Sequence, residues 1–148
     1  MQGMIAHHAQ ALEMTTLAAE RSASDDVKLM AQRIALSQAD EIKMMQEWLA
    51  RRAEAVPDAH AHHGATMPGM LTEAEMNRLA AATGVEFDRL FVALMIKHHG
   101  GALTMVDELL SHPDAGQDPE LQDFASDVDV DQRGEIARLA VLLKELSR

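Results

Sequence analysis

The chain has 148 residues, one domain's length, and at 47% hydrophobic and 25% charged it can build a core, which excludes a disordered tail. A net charge of −11 and a pI near 5.0 exclude nucleic acid and anionic membrane as partners, since both repel it, and leave cations as suitable ones. Cys is absent, so disulfides, thiolate nucleophiles and Cys-based zinc or copper sites are excluded, and any metal must be held by His, Met or carboxylate.

Met1-Gln2-Gly3 leads straight into a patterned segment, without the charged and then apolar stretch of a secretory leader. No apolar run reaches the ~18 residues that mark a membrane span. The first predicted helix carries Met4 to Met14. The second repeats Val27, Met30, Ile34, Gln38, Glu41, Ile42, Met45 and Leu49 at spacings of three and four, with Ser24 or Asp25 as N-cap and Pro57 as its stop. From His60 to Met70 there is no apolar periodicity, so this segment reads as a loop rich in His and Met. Thr72-Glu73-Ala74-Glu75 is a capping box that opens a short helix, which Gly84 is expected to end. From Val85 the third main helix turns Phe87, Leu90, Phe91, Leu94 and Met95 toward the core. Ser111 to Gly116 supplies a turn, and Asp118-Pro119-Glu120 opens the last helix with a cap, a first-position Pro and an early acid. No period-two run of β-branched residues occurs. Three Phe, one Trp and no Tyr stand against 11 Met, so Met and Leu must fill the space that aromatic rings normally take.

The chain is internally duplicated. Met4-Ile5-Ala6-His7-His8, with Ala11, Leu12 and Met14, matches Met95-Ile96-Lys97-His98-His99, with Ala102, Leu103 and Met105, at an offset of 91 residues. Downstream, Gln38-x-x-Glu41-Ile42 matches Gln132-x-x-Glu135-Ile136 at an offset of 94 residues, the intervening turn having gained three. Each unit is a helical hairpin, and two hairpins make a four-helix bundle. The domain therefore divides into a first repeat over 1–56, a His/Met-rich linker and short helix over 57–84, and a second repeat over 85–148. About ten helical residues precede Met95, and only three residues precede Met4, so the first helix is expected to be shortened by an internal start.

On a helix, Met4, His7, His8 and Ala11 share one side, with Met14 a turn beyond; Met95, His98, His99, Ala102 and Met105 do the same. Gln38, Glu41, Ile42 and Met45 share a stripe on the partner helix, as do Gln132, Glu135, Ile136 and Leu139. Antiparallel packing within each hairpin brings imidazole, thioether and carboxylate together. Two readings of this pattern stay open. Glu41 and Glu135 can be buried acceptors that orient the facing His and lock helix register without a metal, and Met at helical spacing can be core filler. The other reading is a metal site, because adjacent His with flanking Met occur twice and a third cluster, His60, His62, His63, Met67 and Met70, sits in the linker. A bundle core gains nothing from several imidazoles unless they are satisfied. Thioether favours Cu(I), imidazole suits copper in either oxidation state, and zinc makes little use of Met. A di-iron carboxylate centre is disfavoured, because Met44 and Arg138 stand where Glu-x-x-His needs His. Gly100 and Gly101, directly after the second His pair, point to a close backbone approach or a kink.

Taken with Gln38-x-x-Glu41-Ile42-x-x-Met45-x-x-Trp48-Leu49, Met67-Pro68-Gly69-Met70-Leu71-Thr72 and the segment from Phe87 to Ala102, these motifs resemble the domain-of-unknown-function 305 family over nearly the whole chain. That resemblance implies an all-α, ferritin-like four-helix bundle built from the two duplicated hairpins. It also implies copper as the ligand, export from the cytoplasm to the periplasm, cell surface or exterior, and no established enzymatic activity. Carried onto this chain, the metal-associated positions it implies are Met4, His7, His8, Met14 and Met45 in the first repeat, with Met95, His98, His99 and Met105 in the second. Leu139 replaces the counterpart of Met45, so the second repeat lacks one soft donor.

The expected function is therefore an extracytoplasmic, non-enzymatic copper-binding protein, taking Cu(I) in preference to Cu(II), for sequestration, resistance or transfer to a copper-handling partner protein. Its expected ligands are the two His-His/Met sets together with Glu41 and the linker residues His60, His62, His63, Met67 and Met70. A homo-oligomer is compatible with this reading. The alternative is a structural or protein-interaction bundle with internal His-Glu hydrogen bonds. Copper bound by neutral imidazole is expected to leave as His protonates, at about pH 6.

Overall fold

The computed structural model describes residues 1–57, 67–113 and 117–148. They form α1 (Gln2–Arg21), α2 (Asp25–Arg51), α3 (Glu73–Ala81), α4 (Gly84–Leu110) and α5 (Pro119–Leu146), with no strand among the described residues. The local signals that start these helices operate as expected. The Ser24 side chain accepts from Val27 N, Thr72 and Glu75 form the reciprocal capping box, and Asp118 accepts from Leu121 N ahead of Pro119.

Two helix ends differ from the sequence expectation. Pro57 does not stop α2; the helix closes at Arg51, where Ala53 at φ 55° lets its N–H reach Ala50 O at 3.2 Å and the Glu54 N–H reach Leu49 O at 3.0 Å. This double closure of the last carbonyls is the Schellman arrangement, made with Ala where Gly is usual. Gly84 does not end α3 either. That helix stops at Ala81, and Gly84, at φ +65°, is the first residue of α4.

α1 packs on α2 and α4 packs on α5 as two hairpins, α1 lies against α4, and α2 touches α5 lightly. The α1–α4 pair is antiparallel: Ser22 meets Asp88 at one end, His7 meets His98 in the middle, and Gly3 faces Met105 at the other. Because His7 and His98 are equivalent in the two repeats, a pseudo-two-fold axis passes between them. Asp88, 1% exposed, joins the second repeat to the hairpin turn of the first, accepting from Ser22 Oγ at 2.5 Å, Ser24 N at 3.1 Å and Ala23 N at 3.3 Å. Every residue of the predicted α2 stripe is buried, whereas on α4 Leu90 and Leu94 are half-buried, and Asp88 and Val92 are buried beside Phe87, Phe91 and Met95.

The apolar core is in two parts. One gathers Met14, Met30, Ile34, Phe87, Phe91, Met95 and Leu139, and the other gathers Met4, Ile5, Ile42, Met45, Leu49, Val106 and Phe124. Between them lies a belt of buried polar side chains: His7, His8, Gln38, Glu41, His98, His99, Gln132 and Glu135.

The described end of the linker, Met67 to Leu71, straps across α1 and α4. Gln10 clamps it through both amide atoms, donating to Leu71 O at 3.0 Å and accepting from Leu71 N at 2.7 Å. Gly101 makes the approach possible, because a Cβ there would lie 2.0 Å from Pro68 O and 2.5 Å from Gly69 Cα. A Cβ at Gly100 would meet nothing within 4 Å. The two adjacent glycines should therefore respond oppositely. Gly100→Ala is expected to stabilise the protein by about 1 kcal/mol through helix propensity, and Gly101→Ala to destabilise it by about 2 kcal/mol or more, because backbone rather than a flexible side chain must move. Urea denaturation of the two variants checks both signs.

Candidate metal centre

All four helical histidines are buried, at 0–1% exposure. His7 Nε2 donates to Pro68 O at 2.9 Å; a carbonyl can only accept, so this contact fixes the tautomer and leaves Nδ1 with a bare lone pair. His8 Nε2 bonds Glu41 Oε2, and His99 Nε2 bonds Glu135 Oε2 at 2.6 Å. The His98 ring is hydrogen-bonded to the His7 backbone. The remaining nitrogens, His7 Nδ1, His8 Nδ1, His98 Nε2 and His99 Nδ1, have no hydrogen-bond partner among the described residues. Each imidazole thus has one nitrogen anchored by oxygen and the other bare and buried, the outer-shell arrangement that metal-ligating histidines share. The His7 and His98 rings are adjacent, with centroids 3.9 Å apart and planes at 38°. His8 and His99 flank them, at 6.5 Å from His7 and 6.2 Å from His98 respectively.

The packing within each hairpin is what the duplicated spacing predicts: α1 presents His8 to Glu41 of α2, and α4 presents His99 to Glu135 of α5. Glu41 is 7% and Glu135 6% exposed. Outside them, Glu41 lines a cavity of about 430 Å³ in the α2–α5 seam with Asp40, Asp127 and Asp131. Burial, and then the nearby Glu41, Glu135 and Asp127, push the Asp131 carboxyl above its ordinary range.

Each Met-His-His-Met edge runs along its own helix, and the pairing of the two helices decides which methionines meet. Antiparallel pairing of α1 with α4 puts Met4, Met45 and Met105 at one end of the polar belt and Met14 and Met95 at the other. Each end therefore mixes methionines of both repeats, and Leu139 stands at the Met14/Met95 end. In the strap, Met67 and Met70 are half-buried. Met67 Sδ and Met105 Cε lie 3.4 and 3.6 Å from where a side chain on Gly3 would begin, so both methionines converge on that bare stretch of α1 next to His7. His60, His62 and His63 lie outside the described residues. Among the described residues no three His, Asp or Glu side chains are arranged to hold one ion.

Sequence reasoning missed the Pro68 carbonyl as the partner of His7 and Asp88 as the tie between the repeats. Gly101 was the signal for the first, and an acid between Phe87 and Phe91 on an apolar stripe was the signal for the second.

The family described as Domain of unknown function (DUF305) matches residues 1–143. No curated protein matches the chain significantly. Among solved structures, a DUF305 fragment from Deinococcus radiodurans is 34% identical, with 97% of this chain and 92% of that one covered and a TM-score of 0.85. A DUF305 protein from Streptomyces coelicolor is 30% identical, with coverage of 97% and 89% and a TM-score of 0.84. CopM in its Cu(I)-bound form is 26% identical, with coverage of 97% and 95% and a TM-score of 0.75. CopM is also known in Cu(II)-bound and Ag-bound forms.

Burial, and then the repulsion that a second proton on the adjacent His8 ring would add, holds His7 far below the usual imidazole range, at about 3, and burial moves His98 in the same direction. Protonation of these two rings in the folded protein is therefore not the event near pH 6 that free imidazole suggests. For linkage, the unfolded chain takes up these protons below about pH 6.5 while the folded chain does not, so their contribution is complete above that pH and is lost as pH falls toward 3. Calorimetry of the metal-free protein should show the melting temperature beginning to fall below about pH 6.5. In a His7→Leu, His98→Leu variant the part of that fall above about pH 5, where carboxylates hardly titrate, should be lost or much reduced.

Proposed function

The chain belongs to the DUF305 family, and from that premise we propose that it binds copper as cargo through buried imidazole nitrogen and thioether sulfur, outside the reducing cytoplasm and without turnover chemistry. The observation that carries this reading is the state of the four imidazoles, each fixed at one nitrogen by Pro68, Glu41, Glu135 or the His7 backbone and bare at the other. Anchoring of this kind selects the tautomer, orients the ring and raises its basicity as a ligand. The donor set is nitrogen and thioether without thiolate, which suits Cu(I) ahead of Cu(II) and does not suit zinc or a di-iron centre. CopM, which shares the fold at 26% identity, binds Cu(I), Cu(II) and Ag, and this supports copper as the ion. Met and His also remain durable donors where thiolates oxidise, which supports a site outside the cytoplasm.

His7 and His98, with Met67 and Met105, which converge on Gly3 one turn before His7, are the donors assigned to Cu(I). Met4, Met14, Met45 and Met95 close the belt at its two ends. Glu41 and Glu135 act on the ion through His8 and His99. Delivery to a copper-handling partner is compatible with the half-buried strap methionines, which give a soft ion a step between solvent and core.

A second reading has its own observation. The His8–Glu41 and His99–Glu135 bonds already close across both hairpins without an ion, as they would in a purely structural bundle. Mass action separates the two, because an ion that binds only the folded state stabilises it by about 2.7 kcal/mol at a concentration of 100 times its Kd. Cu(I), or Ag(I) in its place, is expected to raise the melting temperature of the protein, and His7→Ala with His98→Ala is expected to weaken the affinity at least about tenfold. An unchanged melting temperature at saturating ion would leave the hydrogen-bonded structural bundle in its place.

A further inference from the structure

Gln38 and Gln132 lie in the same buried belt as the four histidines. Each is 1% exposed, and neither its amide nitrogen nor its amide oxygen has a hydrogen-bond partner among the described residues. One such group can be an accident of packing. Two at equivalent positions of the duplicated hairpins, each one helical turn before the Glu that anchors a histidine, make a pattern. Their helices meet in the α2–α5 seam, whose cavity joins Ser37, the neighbour of Gln38, with Asp40 and Glu41 to Val128, Val130 and Asp131, the neighbour of Gln132. Leu or Met at these positions would be more favourable in a purely structural core, because an amide buried without partners loses its hydration and gains nothing.

Six of the eight orphaned belt atoms are complementary to a cation, and the other two, the amide nitrogens of Gln38 and Gln132, are donors. Four imidazole nitrogens and two amide oxygens are bare acceptors, and no three His, Asp or Glu side chains among the described residues converge on one ion. We propose that Gln38 and Gln132 belong to the metal centre as its oxygen donors, so that the middle of the belt takes Cu(II) through imidazole nitrogen and amide oxygen while thioether binding of Cu(I) does not depend on them. Nitrogen and oxygen donors suit Cu(II), and thioethers suit monovalent soft ions. The two glutamines thereby set which oxidation state the core accepts. This inference rests on the reading of the chain as a copper-binding protein.

The variant Gln38→Met with Gln132→Met tests it, since Met keeps the length of the side chain and exchanges oxygen for sulfur. Three measurements are made on wild type and variant: the melting temperature without metal, the Cu(II) affinity and the Ag(I) affinity, silver standing in for Cu(I). The inference expects the metal-free variant to melt higher by about 3 °C or more, because unpartnered amides have been removed. It expects Cu(II) affinity to fall about tenfold or more, and Ag(I) affinity to be unchanged or tighter. A lower melting temperature, a misfolded variant or unchanged Cu(II) affinity overturns it. A wild type that binds Ag(I) but not Cu(II) overturns it too and leaves the copper(I) function standing. A wild type that binds neither ion overturns both.

Discussion

The arrangement of the whole molecule depends on one requirement: an imidazole buried in a helical bundle must have an oxygen acceptor for its N–H. Four such rings lie in the middle of this protein, and the chain supplies four different acceptors to them. Two are carboxylates on the partner helices, and they set the register of each hairpin. One is a helix backbone, which brings α4 against α1 closely enough for the His7 and His98 rings to lie 3.9 Å apart. The last is Pro68 O, and reaching it obliges a loop to cross the bundle and a helix to carry Gly101, where any side chain would collide with the loop. The strap, the glycine and the Gln10 clamp all follow from this need to satisfy one ring nitrogen.

The same requirement leaves the opposite nitrogen of each ring bare, and low dielectric then magnifies the consequence. A proton added to His7 would be a charge in a nearly dry interior beside another imidazole, which is why the ring stays neutral down to about pH 3. A soft monovalent ion differs from a proton in that it can share its charge among several nitrogen and sulfur donors at once. The belt thus discriminates against protons by burial and offers a cation several donors through its bare lone pairs. Negative charge at the α2–α5 seam, from Asp40, Glu41, Asp127 and Asp131, adds an attractive field on that side.

Much of this was legible in the sequence because the signals were local. Ser24, the Thr72/Glu75 box and Asp118-Pro119 start helices through contacts three residues away, and the α2 stripe repeats at the helical period, so both can be read from a single strand of text. Duplication made the His8–Glu41 and His99–Glu135 pairs legible too, since the same residue types recur at the same separation within each hairpin. What the text did not carry was how the two hairpins meet. An internal repeat is equally compatible with parallel and antiparallel pairing, and only the antiparallel form puts Met4 with Met105 and Met14 with Met95. Pro68 as an acceptor was equally hidden, because a backbone carbonyl 61 residues from its histidine has no residue type to announce it. Ala53 in the left-handed region was hidden for the opposite reason: the sequence offered Pro57, a stronger stop signal, four residues later.

The place where local rules fail is the belt itself. Leu or Met in place of Gln38 and Gln132 would join the apolar clusters on the two sides more closely and leave no amide of the belt without a partner. The His-Glu bonds alone do not account for it, since they satisfy His8 and His99 at one nitrogen and do nothing for Gln38 or Gln132. A sequence that is locally consistent elsewhere, and that departs from local rules in eight buried side chains around one pseudo-two-fold axis, departs from them where function is expected.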